Sequence, residues 1–292
     1  MKIGYPCINR SIDCTANSTF RLASYSKEKL IEKVSSNLKC LKRLLNWNVE
    51  KGLLFFRIGS PLIPFASHPI CKFNWQKYFK KEFQEIGQFI KNNDIRISMH
   101  PDQFTLLNSP KKDVTQRSIA ELKYHVDVLD SMKLKKDAKV QIHVGGVYNE
   151  KPKAMARFVE RYKKLDKKIK RRLVIENDDR CYSVKDCLEI NKKTKIPIIL
   201  DTLHHKCLNN KEEVLTMLKQ TAKTWRAQDG IPMIDYSNQA IGERKGKHTE
   251  HIHAKKFERF LRKTKKLDFD VMLEIKDKEK SALKALKVLD EL

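Results

Sequence analysis

No stretch of the 292-residue sequence approaches the roughly 18 consecutive apolar residues that a membrane span needs. The opening segment MKIGYPCINR has no apolar run after its first lysine, so it reads as a strand rather than a secretory signal. Nine glycines and nine prolines are too few for a low-complexity or fibrous chain. The seven cysteines are odd in number and contain no Cys-x-x-Cys pair, which argues against a disulfide framework and a zinc ribbon. Reduced thiols in a reducing compartment are the expectation, in the cytoplasm or, in a eukaryote, the nucleus. Acidic residues are scarce beside basic ones, 36 against 61, leaving a formal charge of +25. An excess of that size points to a polyanionic partner. Nucleic acid comes first, because each phosphate neutralised releases counterions. A lysine-rich, merely solvated surface is the plainer alternative.

What is present is alternation. Short β-like runs stand at Lys2–Cys7, Leu53–Gly59, Ile95–His100, Val140–Val144, Leu173–Asn177, Pro197–Asp201, Ile231–Ser237 and Asp270–Ile275. Helical patterns fill the intervals. Ser26 to Trp47 carries Leu30, Val34, Leu38, Leu41 and Leu45 on one stripe behind a Ser26 N-cap. Further helices are expected over Asn74–Lys91, Asp113–Met132, a very basic segment up to Lys170, and Lys278–Leu292. Eight strands with helical crossovers in under 300 residues predict an α/β fold, a single (β/α)8 TIM barrel spanning residues 1–292. An open doubly wound sheet is the alternative, but GYPCINR lacks its glycine-rich phosphate turn. The basic run Lys163–Arg172 reads as a solvated helix face.

In a barrel, chemistry sits where strands end. Those ends carry His100, His143, Glu176, Asp201 with His204, Asp235 and Glu274, and His68 follows the second strand. Any one of them is ordinary as a cap or a satisfied polar group. Six consecutive strands delivering such residues to one rim is not, because carboxylates inside an apolar barrel need a cation. Mixed His and carboxylate ligands without thiolate suit Mn²⁺ or Zn²⁺ and argue against an iron–sulfur cluster. More ligands than one ion needs imply two or three divalent ions, an arrangement suited to displacement at phosphorus. Together with the charge, this points to phosphodiester hydrolysis on nucleic acid.

Several segments resemble one family: GYPC with Asn9 following, Arg21-Leu22, SMHPDQFTLLNSP, IHVGG, IENDDR, DTLHH, and HTEHI followed by MLEIKDKE. In this order, from residue 2 to about residue 285, they resemble the UV-damage endonucleases. The resemblance implies a barrel related to endonuclease IV, holding up to three metals, usually manganese. It implies nicking of double-stranded DNA on the 5′ side of cyclobutane dimers, 6-4 photoproducts and often abasic sites, which starts excision repair. It also implies roles. Glu176 would bridge two ions, with His100 and His143 completing the first. Asp201, Asp235 and Glu274 would join Glu176 around the second. His204 and His248 would hold the third, and His68 would be a further ligand or phosphate contact. The spacing favours His204 over His205. His251 and His253 read as surface helix residues, and mid-helix His125 as structural. Glu176, Glu274 and His143 would be the catalytic residues. Tyr5, Asn9, Gln103 and Phe104 would contact the lesion or its phosphate, Gln103 and Phe104 as a polar-plus-aromatic wedge.

Arg21, Lys111, Lys112 and Lys247 are candidate phosphate contacts in rim loops. The chain departs from the family in two places. Met233-Ile234-Asp235 stands where many members have Lys-x-His or Lys-x-Asp, and the anionic Asp235 favours Mn²⁺ over Zn²⁺. Phe104 stands where tyrosine is frequent. The competing readings are an abasic-site endonuclease of the endonuclease IV type, a sugar isomerase or epimerase, and a damage-binding barrel without catalysis. A monomer without membrane attachment is expected, since DNA must reach the open rim.

Overall fold

A computed structural model describes residues 1–292. Eight parallel strands close into a barrel in sequence order: β1 Ile3–Pro6, β2 Phe55–Ile58, β3 Arg96–Met99, β4 Lys139–His143, β5 Leu173–Glu176, β6 Ile198–Asp201, β7 Met233–Tyr236 and β8 Asp270–Leu273. β1 closes the ring on β8 through the pairing of Ile3 with Val271. This is the expected (β/α)8 architecture, and the open sheet is excluded.

Helices form the outer layer. They are α1 Lys27–Glu50, α2 Trp75–Tyr78, α3 Lys80–Asn92, α4 Lys112–Ser131, α5 Lys151–Lys164, α6 Lys167–Arg172, α7 Val184–Thr194, α8 Thr202–Cys207, α9 Val214–Ala222, α10 Ala254–Thr264 and α11 Glu279–Asp290. Ser26 caps α1 by accepting the Lys29 N–H, and the stripe Leu30, Val34, Leu38, Leu41 and Leu45 is buried. No helix is long and apolar enough to cross a membrane.

Three local expectations are corrected. The segment read as one helix over Asn74–Lys91 breaks into α2 and α3 at Phe79. The basic run 163–172 is not wholly a solvated face. It breaks at Leu165–Asp166, and Arg172 is buried, donating to Asp130 and to the carbonyls of Leu134, Lys135 and Ala138. Cys14 and Cys40 are disulfide-bonded, tying the first βα loop to α1, while the other five cysteines are free. Sequence spacing carries no signal for a single bridge between residues 26 apart.

Strand periodicity sorts the barrel interior into layers. The lower layer is apolar: Phe55, Val174, Ile199, Met233 and Met272 pack with Trp225. Below it, buried Arg96 and Lys139 pair with Asp270 and Asp229, each at 2.7 Å. Two residues further along the same strands, the same inward column turns polar: Arg57, Gln141, Glu176, Asp201, Asp235 and Glu274. Met233 therefore belongs to the apolar floor, one layer beneath Asp235. Gly4 lets β1 approach β2, because a Cβ there would lie 2.0 Å from the Phe55 carbonyl oxygen.

Candidate metal centre

Register delivers the metal-ligand residue types in pairs. His143 stands beside Glu176 across β4 and β5, and Asp201 beside Asp235 across β6 and β7. Ligand atoms come within 4.8 Å of one another in three overlapping sets: His100, His143 and Glu176; Glu176, Asp201 and His204; and Asp201, Asp235 and Glu274. Glu176 belongs to two of them and is fully buried. Its Oε2 lies 3.4 Å from His100 Nε2 and 3.7 Å from His143 Nε2, and its Oε1 lies 3.1 Å from His204 Nδ1.

Asp201 has two jobs. Its Oδ1 caps α8 by accepting the His204 N–H at 2.7 Å, which aims the His204 ring back at the centre. Asn177 cross-ties β5 to β6, accepting the Asp201 N–H at 2.9 Å and donating to the Asp201 carbonyl at 3.1 Å. His205, one residue on, is turned away and bonded to the Glu212 carbonyl.

The buried atoms Asp201 Oδ2 and His143 Nδ1 have no hydrogen-bond partner, and Glu176 Oε1 meets only the His204 Nδ1, which is bonded to the Asn177 carbonyl at 3.1 Å. Orphaned acceptors in a buried acidic cluster are costly unless a cation serves them. The donor set, imidazole plus carboxylate and no thiolate, fits a hard or borderline divalent ion. The electrostatics agree. Burial pushes Asp201 up to about 6, with the neighbouring carboxylates adding to it and His204 opposing. Burial alone would discharge His204, but Asp201 and Glu176 outweigh it and raise its pKa to about 12. Glu176 is lowered well below the usual carboxylate range, because the surrounding histidines overcome its burial.

Two residues of the centre were not identified from the sequence. Arg57 on β2 is buried and donates to both Asp235 oxygens, at 2.8 and 3.0 Å, and to Glu274. Burial opposes its charge, yet Asp235 and Glu274 hold it protonated, and Arg57 in turn overcomes the burial of Glu274 and draws that carboxyl down to about 2. Gln141 on β4 donates to Glu176 and Asp235, each at 2.5 Å, and accepts from Arg57 at 2.8 Å. Both signals were legible as charged or polar residues inside apolar runs, LLFFRIG and KVQIH, on the inward parity.

The other expected residues divide. His248 adjoins the centre without joining a set. Its Nδ1 lies 2.5 Å from the Glu274 carbonyl, and its ring centroid 5.9 Å from that of His204. His68 is not brought to the centre. It is exposed, and its Nδ1 accepts the Ile70 N–H two residues on, a local turn contact. Tyr5 is a correction. It is fully buried on the outward parity of β1, bonded to Asn48 and Asn9, so no substrate reaches it. Asn9 is buried as well, donating to Tyr5 and accepting the Ser11 N–H. His251 and His253 precede α10 rather than lying in a helix, and His251 pairs with Asp277. His125 is buried in α4 as expected, its Nε2 3.0 Å from Ser60 Oγ. Gln103 is exposed, and Phe104 is 72% exposed beside the mouth. Core packing is thereby excluded for Phe104.

The mouth is a cleft of about 730 Å³ reaching His143, His204 and His248, and Arg180, Arg244, Lys247 and Lys276 line it. Arg21, Lys111 and Lys112 are exposed.

A family model described as UV-endonuclease UvdE matches residues 1–292. The chain belongs to the UvdE family. A UV DNA damage endonuclease of Clostridium perfringens is 41% identical over 100% of this chain and 71% of its own length. One from Bacillus thuringiensis is 32% identical over 100% of this chain and 95% of its own. Among solved structures, that of SacUVDE superposes with a TM-score of 0.96 at 49% identity, covering 100% and 98% of the two chains. Endonuclease IV of Thermus thermophilus follows this UvdE chain's fold alone, with a TM-score of 0.60 at 12% identity over 86% of this chain and 95% of its own. So does D-psicose 3-epimerase of Clostridium cellulolyticum, at 0.55 and 13% over 86% and 91%. Membership in UvdE sets aside the sugar-epimerase reading.

Proposed function

We propose that this UvdE protein is a metal-dependent DNA repair endonuclease that nicks the backbone 5′ of UV photoproducts, and also at abasic sites, so initiating excision repair. The observation that carries the reading is the array of overlapping ligand sets centred on Glu176, with the orphaned Asp201 Oδ2, at the bottom of a cleft whose lining sets Arg180, Arg244, Lys247 and Lys276 against Asp102, Asp178 and Asp179. The metal residues are His100, His143, Glu176, Asp201, His204, Asp235 and Glu274, with His248 beside them. Two or three divalent ions, manganese by preference, suit this donor set. Divalent ions held by these residues would supply Lewis acidity toward a water and the phosphate.

The chain's own groups do the rest. Arg57 and Gln141 fix the carboxylates before substrate arrives, so little reorganisation accompanies reaction. Arg180, Arg244, Lys247 and Lys276 receive flanking phosphates, which position the duplex without reading its sequence. Gln103 and Phe104 enter the stack. A dimerised pyrimidine pair stacks poorly, so displacing it costs less than displacing sound bases, and the aromatic ring replaces the lost stacking. The protein acts as a monomer in the cytoplasm. The test is end-labelled duplexes carrying one defined dimer, one abasic site or no lesion, resolved on denaturing gels. Cuts 5′ of the dimer and none in sound DNA are expected. Cuts only at the abasic site would favour the endonuclease IV type of activity.

Two expectations follow from the geometry. Phe104→Ala should lower cutting at the dimer about tenfold or more while sparing the abasic duplex, which needs less unstacking. Equal loss on both would contradict the wedge. For metal uptake, His204 holds its proton at pH 7 because its pKa is raised to about 12, and Asp201 gains one as pH falls through about 6. Mn²⁺ binding should therefore release about one proton at pH 7.5, release more at pH 5, and weaken as pH falls. Calorimetric titration in two buffers of different ionisation enthalpy measures this, and pH-independent binding without proton release would contradict it.

A further inference from the structure

Lys278 precedes α11 with φ 55° and ψ −117°, a region that side-chain-bearing residues avoid. Such strain persists only where the surroundings over-determine it, and here both neighbours are pinned. Asp277 donates its N–H to the Glu250 carbonyl at 3.1 Å and receives His251 at 2.8 Å. Glu279 is fully buried, and its carboxylate accepts the Arg10 N–H at 2.9 Å and the Ser11 hydroxyl at 2.7 Å. Two loops, after β1 and after β8, are thus clamped around one strained lysine.

The clamp sets where the side chain goes. Lys278 is half-buried and lines a cleft of about 590 Å³ together with Cys7, Arg57, His100, His248 and Glu274. Its ammonium has no carboxylate oxygen within 4.0 Å, in contrast to Arg57 a layer below. Burial there pushes its pKa below that of a free lysine, although Cys7 and Glu274 partly oppose this. A half-buried cation without a direct ion-pair partner, held at the metal centre by a strained backbone, suits an anion that arrives from the cleft mouth. For a nuclease that anion is a backbone phosphate.

We propose that Lys278 is a further catalytic residue, contacting a non-bridging oxygen of the scissile phosphate. The assignment rests on the nuclease reading above. Lys278 keeps its proton throughout and forms no bond. Negative charge on the non-bridging oxygens grows as water adds to phosphorus, so the contact strengthens toward the transition state.

The test uses the full chain loaded with Mn²⁺, a duplex with one dimer, and the variants Lys278→Gly, Lys278→Met and Lys278→Arg. Glycine adopts this φ freely, so Lys278→Gly should melt at or above the wild-type temperature. Its kcat should nevertheless fall about 100-fold, with the affinity for damaged duplex changed less than about threefold. Lys278→Met should match that loss, and Lys278→Arg should recover part of it. A kcat at the wild-type level in Lys278→Gly would overturn the assignment. So would a loss of kcat accompanied by a lower melting temperature in every variant, since that marks a packing role. Wild-type protein run alongside separates the two claims: if it leaves the dimer duplex intact, the nuclease reading fails first and the role of Lys278 falls with it.

Discussion

Glu176→Gln should lower incision of irradiated DNA on the order of a thousandfold or more while leaving the barrel folded. Glutamine fills the same volume, and it can still meet His204 and Gln141. It cannot supply the charge shared by the two ligand sets that meet at this residue. Two sets of ligand atoms lose their common carboxylate at once, so the effect should exceed that of any single-set ligand. The substitution is read by rate on a single-dimer duplex, by bound metal per chain, and by circular dichroism. Reduced metal content with an unchanged spectrum is expected. Incision at the normal rate would place the centre elsewhere.

Arg57→Met should be the most destabilising change in the upper barrel. The guanidinium is 3% exposed and neutralises Asp235, which is fully buried, and Glu274. Removing one partner of a buried pair strands the other, at about 3–5 kcal/mol. For a chain of this size that lowers the melting temperature on the order of 10 °C in metal-free buffer. The companion variant Arg57→Met with Asp235→Asn should recover a good part, because the stranded charge is then gone. Added Mn²⁺ should also recover part, since a divalent ion takes over the same carboxylates. A single variant that melts like wild type would show that the network carries no net stabilisation.

Much of this was legible in the sequence, for identifiable reasons. The barrel followed from eight β-runs spaced by helix-length intervals, and the acidic rim from ligand-type residues at their C-terminal ends. What failed was mostly a matter of parity and distance. Tyr5 lies next to inward-facing Gly4, yet its own side chain points outward to Asn48, and the strand's continuous apolar character hides which face is which. His68 follows a strand, but a turn at its own backbone claims it. Arg57 and Gln141 are not metal-ligand residue types, so only their place on the inward column marks them. The Cys14–Cys40 bond and the Lys278 strain are tertiary facts, set by how the first loop meets α1 and α11, and no local pattern encodes them.

The proposed activity is damage-specific hydrolysis at a metal centre. Supercoiled plasmid, irradiated or untreated, incubated with the protein and Mn²⁺ or with EDTA, tests it most directly. Relaxation of the irradiated plasmid alone is expected, abolished by EDTA and restored by excess Mn²⁺. Equal relaxation of both plasmids, or relaxation that persists in EDTA, would contradict it.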